Sequence, residues 1–202
     1  MENNENDLYL TLDKASDAEV FKDKGSKFLA YAYPVTNANQ VDGLIQPLKK
    51  AHPKARHWCY AWQIGVEQPT FRYNDDGEPN NSAGKPIYGQ IQSFGLTNVL
   101  IVVVRYFGGT KLGVGGLIVA YRSSARLALE NATLVEKMLM EELTLRFEYA
   151  NMDKVMRVVK ENSLDIIDQS MELDCIFKIS VRKARLEPVI KIFKDLRCIQ
   201  IK

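Results

Sequence analysis

Hydrophobic positions along the chain fall into two alternating rhythms, and the switches between them mark the elements. Val99 to Val104 is an unbroken run of apolar, mostly β-branched residues ended by Arg105, which predicts a strand covered on both faces. Lys27 to Val35 and His57 to Ile64 alternate aromatic and small residues as strands do, and Leu8 to Leu12, Glu19 to Lys22 and Thr70 to Tyr73 predict shorter ones. Val41, Leu44, Ile45 and Leu48 recur at helical spacing, so Asn37 to Ala51 predicts a helix with Pro53 just past its end. Ile87 to Phe94 predicts a second helix, stopped by Gly95. Leu117, Ile118, Tyr121, Ala125, Ala128 and Leu129 predict a third. A strand near Thr133 to Lys137 follows.

Beyond Met140 the order is strand (Glu142 to Tyr149), helix (Met152 to Lys160), strand (Asp165 to Gln169), strand (Leu173 to Val181), helix (Leu186 to Leu196), strand (Cys198 to Ile201). That βαββαβ order predicts a ferredoxin-like domain. The expected organisation is therefore α+β in two parts, residues 1–138 and 139–202. Residues 1 to 15 read as a polar lead-in.

Composition narrows the setting. With 27 Lys and Arg against 25 Asp and Glu, the net charge of +2 exerts no global pull on nucleic acid. The aliphatic run is far too short to span a membrane, and MENNENDLYL has no basic or apolar signal region. Three widely spaced cysteines, an odd number, give no disulfide framework. A cytoplasmic protein without membrane contact is expected.

The candidate chemistry lies between the apolar run and the third helix. Gly108, Gly109, Gly113, Gly115 and Gly116 fall within nine residues, with Lys111 among them. A strand leading through a glycine loop into a helix start bares backbone N–H groups and a partial positive charge, which together hold anions. Arg105, Lys111 and Arg122 flank it. No Walker loop or dinucleotide fingerprint is present. The competing reading is that the glycines allow tight packing and bind nothing. Arg122, Arg126 and Glu130 stand at i, i+4, i+8, the spacing of a solvated face with one ion pair.

Asp75, Asp76 and Glu78 stand on a Gly/Pro turn, an acidic loop that either takes a hard cation such as magnesium or caps the helix after it. His57 faces the same way as Cys59, two residues along a strand, too far apart for a nucleophile–base pair. No catalytic set, metal ligand set or cofactor motif is complete, so no cofactor is expected and the chain reads more readily as a binding protein than as an enzyme.

Four blocks in order resemble the IMPACT/YigZ family: Lys24-Gly25-Ser26-Lys27-Phe28; His57 with Cys59-Tyr60-Ala61; Asp75-Asp76-Gly77-Glu78-Pro79 with Ala83-Gly84-Lys85-Pro86-Ile87; and Val104-Arg105-Tyr106-Phe107-Gly108-Gly109 with Lys111-Leu112-Gly113 and Gly115-Gly116-Leu117. Two departures stand out. Val119 occupies a place the family usually gives to Arg, and Asn80-Asn81-Ser82 replaces a Ser/Gly/Thr segment. The resemblance implies an N-terminal domain with the fold of the second domain of ribosomal protein S5, followed by a ferredoxin-like domain. Eukaryotic relatives regulate translation by competing for the activator of a starvation-sensing kinase. What carries over is a translation-related role, with RNA, the ribosome or a protein as partner. Two alternatives stay open, a protein-interaction module with purely structural glycines and a metal-dependent hydrolase of a small phosphorylated or peptide substrate.

Overall fold

A computed structural model describes residues 7–172 and 174–201. Residues 1–6 of the polar lead-in, and Leu173 at the head of one expected strand, lie outside the described residues. The chain divides into two compact units, Tyr9–Lys137 and a second that groups Asp7 and Leu8 with the chain from Met138 on.

The larger unit is built on a five-stranded antiparallel sheet. Its strands are β2 (Glu19–Asp23), β3 (Ser26–Pro34), β4 (His57–Ile64), β5 (Thr70–Asn74) and β6 (Val99–Tyr106), in the order β2-β3-β6-β4-β5. Two further strands, β1 (Leu8–Leu12) and β7 (Leu134–Met138), pair as a separate ribbon. Position β6 is central, and Val99 to Val104 are all fully buried, as a both-faces apolar run requires.

Alternation sends the β6 side chains to two cores. Leu100, Val102 and Val104 pack with Val41, Ile45 and Leu48 of helix α1 (Asn39–Ala51). Val99, Ile101 and Val103 pack with helix α2 (Gly84–Ser93) and helix α3 (Gly113–Glu130) through Ile87, Ile91, Leu117, Tyr121 and Ala125. Each fully buried Val, Leu or Ile contributes about 1.5–3 kcal/mol, so this strand anchors both layers.

The second unit runs β8 (Met140–Phe147), α4 (Met152–Glu161), β9 (Asp165–Met171), β10 (Cys175–Arg182), α5 (Leu186–Asp195) and β11 (Ile199–Ile201). Its sheet order β11-β8-β10-β9 is antiparallel throughout, the ferredoxin-like arrangement. Leu143, Leu145, Phe177 and Ile179 face the helices and pack on Val155, Val159, Val189 and Phe193. The architecture is α+β. No helix among the described residues is long and apolar enough to cross a membrane.

Three of the boundaries that differ from the sequence reading bear on the site. Strand β6 continues through Arg105 to Tyr106. Helix α3 begins at Gly113, so Gly113, Gly115 and Gly116 form its first turn rather than a loop. Helix α2 begins at Gly84, three residues early, because Asp75 caps it from a distance: its Oδ1 accepts from the Ala83 and Gly84 N–H groups at 2.9 and 2.8 Å.

Candidate functional site

The four motif blocks meet on the α3 side of the five-stranded sheet. His57 of β4 lies opposite Arg105 of β6 in the sheet register, and Cys59 follows on the same face. The Asn74–Glu78 loop lies over them. There Asp76 Oδ2 accepts from the Trp58 N–H at 2.7 Å, and His57 Nδ1–H donates to the Asp76 carbonyl at 2.8 Å. Asp75 Oδ2 accepts from the Asn81 N–H at 2.8 Å. Asp76 and Gly77 sit at φ 41° and 85°, a left-handed pair that turns the chain back so that Glu78 enters the interior.

Glu78 is the centre of a buried polar network. Its Oε1 accepts from Arg105 Nη1 at 2.6 Å and from the Tyr121 hydroxyl at 2.7 Å. Arg105 is 5% exposed, with its guanidinium carbon 5.5 Å from the Phe28 ring and 5.7 Å from the Phe107 ring. Cys59 Sγ lies 3.0 Å from the Asp75 carbonyl, to which its thiol donates, and 3.3 Å from the Tyr121 hydroxyl. Burial pushes the Cys59 thiol and the Tyr121 phenol far up from their ordinary values, and the nearby Glu78 adds to both shifts. The thiol therefore stays protonated and is no nucleophile.

These contacts correct one expectation and decide another in favour of helix capping. Arg105 is not an open cation, because Glu78 neutralises it inside the fold, a pair whose one-sided loss costs about 3–5 kcal/mol. The acidic loop is not a ligand cluster either: both Asp75 oxygens and Asp76 Oδ2 accept backbone N–H groups, and Glu78 holds Arg105 and Tyr121. Among the described residues no group of three or more His, Cys, Asp or Glu could hold a metal ion.

The glycines separate into kinds. A Cβ on Gly108 would lie 1.9 Å from the Gly25 carbonyl carbon and 2.1 Å from Ser26 N, so it allows the β2–β3 turn to pack. A Cβ on Gly116 would meet Leu112 Cβ at 3.0 Å. Gly109 and Gly113 need glycine for their φ of 88° and 71°. Gly115 differs, because its backbone is helical and an added Cβ meets nothing within 4 Å. The first turn of α3 has no side-chain cap and no acidic residue, the condition under which a helix start can bind an anion.

Beside that helix start lies a cavity of about 360 Å³, bounded by His57, Glu78, Arg105, Phe107, Lys111 and Val114 among others. Arg122 is not there. It borders a groove of about 550 Å³ between α2 and α3, with Lys85, Gly89 and Ile118. Lys85 stands in the third motif block but not among the expected site residues, and a charge count singles it out. Between Glu78 and Glu130 the chain has no acidic residue and five basic ones, Lys85, Arg105, Lys111, Arg122 and Arg126. Arg105 pairs with Glu78 and Arg126 with Glu130. Lys85, Lys111 and Arg122 are exposed and form no ion pair among the described residues.

Comparison with known proteins agrees with the arrangement of these blocks. The model of the Impact N-terminal domain matches residues 24–129. The IMPACT family member YigZ of Escherichia coli (strain K12) is 30% identical over 165 residues, 81% of each chain. The IMPACT family member YvyE of Bacillus subtilis (strain 168) is 35% identical over 154 residues, 76% of this chain and 70% of that one. A crystal structure described only as that of a hypothetical protein superimposes with a TM-score of 0.76 at 27% identity, covering 96% of both chains. The match spans the hairpin turn, the acidic loop, the central strand and the glycine-rich helix start that build the polar network, and the chain belongs to the IMPACT family.

Proposed function

We propose that the chain is a cytoplasmic, translation-related RNA-binding protein whose larger unit grips phosphates along α2 and α3. The observation that supports this most directly is the segregation of charge. The first 138 residues are nearly neutral, with 15 Lys and Arg against 14 Asp and Glu, yet the stretch from Pro79 to Leu129 carries no acid at all. Its three unpaired cations stand around an uncapped helix start and a groove. Gly115, Ile118 and Arg122 stand at i, i+3, i+7 on one face of α3, so a backbone that approaches Gly115 closely runs on toward Arg122. Helix rise separates those two positions by roughly 10 Å.

Phosphate is the ligand that suits N–H groups, Lys and Arg together without base specificity. The free cysteines fit a reducing compartment, and the eukaryotic members that the motif blocks resemble act in translation. The exposed cations of α2 and α3 and the uncapped α3 start support a binding reading.

The test is fluorescence anisotropy with a labelled single-stranded RNA over a salt series. Wild type is expected to bind at low salt with affinity that falls as salt rises. The triple variant Lys85→Ala, Lys111→Ala, Arg122→Ala is expected to flatten the log–log slope by about 2, since each single-strand phosphate contact adds roughly 0.7. Absence of binding at low salt, or an unchanged slope in the variant, overturns the reading.

A further inference from the structure

The cavity at the α3 start has three unlike walls. One is cationic, from Lys111 and the first-turn N–H groups. One is a half-exposed aromatic ring, Phe107, backed by the Arg105 guanidinium 5.7 Å away. The third is His57 beside Glu78. Its volume of about 360 Å³ falls in the roughly 300–1,000 Å³ range of small-ligand sites.

In the neutral ring, the third wall presents an acceptor. His57 Nδ1–H donates to the Asp76 carbonyl, which fixes the neutral ring as the tautomer with a bare lone pair on Nε2. That nitrogen stands 3.9 Å from Glu78 Oε1, beyond hydrogen-bond distance, and both atoms are acceptors. The His57 side chain is 23% exposed, so a ligand can reach the pair. On the same lining, Arg105 Nε is a buried donor with no partner. Glu78 Oε1 already accepts from Arg105 and Tyr121, so His57 Nε2 is the acceptor on this wall that calls for a donor, which a hydroxyl supplies. The exposed ring of Phe107 suits a planar base.

We infer that this cavity takes one ribonucleotide of a bound RNA strand, with its phosphate at Lys111 and the α3 start, its base on Phe107 and its 2′-hydroxyl donating to His57 Nε2 beside Glu78. The inference rests on the RNA-binding reading above and adds to it a basis for preferring RNA to DNA. A deoxyribonucleotide leaves His57 Nε2 without a donor, and a site built to hydrogen-bond a hydroxyl discriminates against the analogue that lacks it.

The test uses the full chain and one labelled single-stranded sequence in three chemistries: RNA, DNA and 2′-fluoro RNA, which keeps an RNA-like sugar but has no 2′ proton to give. RNA is expected to bind about tenfold more tightly than either of the others, the effect of one lost hydrogen bond of roughly 1.4 kcal/mol. His57→Asn retains a donor toward the Asp76 carbonyl and removes the Nε2 acceptor, so it is expected to bring the RNA-to-DNA ratio toward one, with folding checked by circular dichroism. Phe107→Leu is expected to weaken RNA and DNA alike by roughly tenfold, as loss of one stacked base does. Equal binding of RNA and DNA by wild type overturns this inference and leaves phosphate binding standing. So does a preference that persists in His57→Asn. Failure to bind any of the three at low salt overturns both.

Discussion

Gly108 and Gly115 are seven positions apart and have opposite reasons to lack a side chain. At Gly108 a Cβ would penetrate the Gly25–Ser26 peptide, with 1.9 Å to Gly25 C, and only a backbone shift of the β2–β3 turn relieves it. Gly25 itself sits at φ 82° beside Lys24 at φ 43°, a two-residue turn with little freedom to move. Gly108→Ala should therefore destabilise by about 3 kcal/mol or more, the upper range of overpacking. At Gly115 the added methyl meets open space and replaces a poor helix former with the best one, so Gly115→Ala should leave stability unchanged or raise it by up to about 1 kcal/mol. On the proposed reading the same variant weakens RNA binding, because the methyl would stand in the path of a phosphate at the first turn. Urea melts and anisotropy on the two variants check this. A Gly115→Ala protein that binds RNA like wild type shows its glycine to be without a ligand role. In the sequence these glycines look alike, since what separates them is a hairpin turn brought in from the start of the unit. Arg105 misled for a similar reason. A cation ending an apolar run resembles a surface residue until Glu78 is seen to arrive from a loop distant in sequence.

At the scale of elements, periodicity was the reliable signal. Strands such as His57–Ile64 and helices such as Leu186–Asp195 carry their apolar spacing locally, and they form where that spacing places them. The starts of α4 and α5, Met152 and Leu186, follow from the apolar spacing alone, and the start of α2 does not. For α2 the cap is Asp75, nine positions before Gly84, so nothing adjacent to Gly84 marks a beginning. The carboxylate accepts three backbone N–H groups, from Asn81, Ala83 and Gly84, and ties the acidic loop to the helix as well as capping it. Asp75→Ala should lose about 1–2 kcal/mol, at the upper end for an N-cap. Because the loss is local, amide exchange at Ala83 and Gly84 should quicken while exchange in β6 changes only through global stability. Unchanged exchange at those two amides would falsify the capping role. On the proposed reading the loss also reaches RNA binding, since α2 carries Lys85 into the groove beside Arg122.

At the scale of the whole molecule, the order of elements after Met140 was enough to anticipate the ferredoxin-like sheet, because antiparallel pairing and short connections leave few ways to arrange two βαβ halves. The start of the chain was less legible. Its polar run resembles a solvated lead-in, yet Asp7 is buried and belongs to the second unit. Its carboxylate accepts from Arg182 Nε and Nη2 at 2.7 and 2.8 Å and from the Ala184 N–H at 3.1 Å, while its carbonyl accepts from the Leu139 N–H. The bidentate Arg182 contact is the largest of the influences that hold the Asp7 carboxyl below its usual range, against the opposing effect of burial. A carboxyl whose folded pKa is depressed stabilises the native state above its unfolded pKa, near 4, and that contribution disappears as pH falls through the lower folded value. Asp7→Asn keeps the shape and removes the charge. Its urea midpoint, followed by circular dichroism, should lie below that of wild type at pH 7. The gap should begin to narrow near pH 4 and close at lower pH, where wild-type Asp7 is itself protonated. A gap that stays constant from pH 7 to pH 3 would mean that shape and hydrogen bonding, rather than charge, tie this residue to Arg182, the last residue of β10.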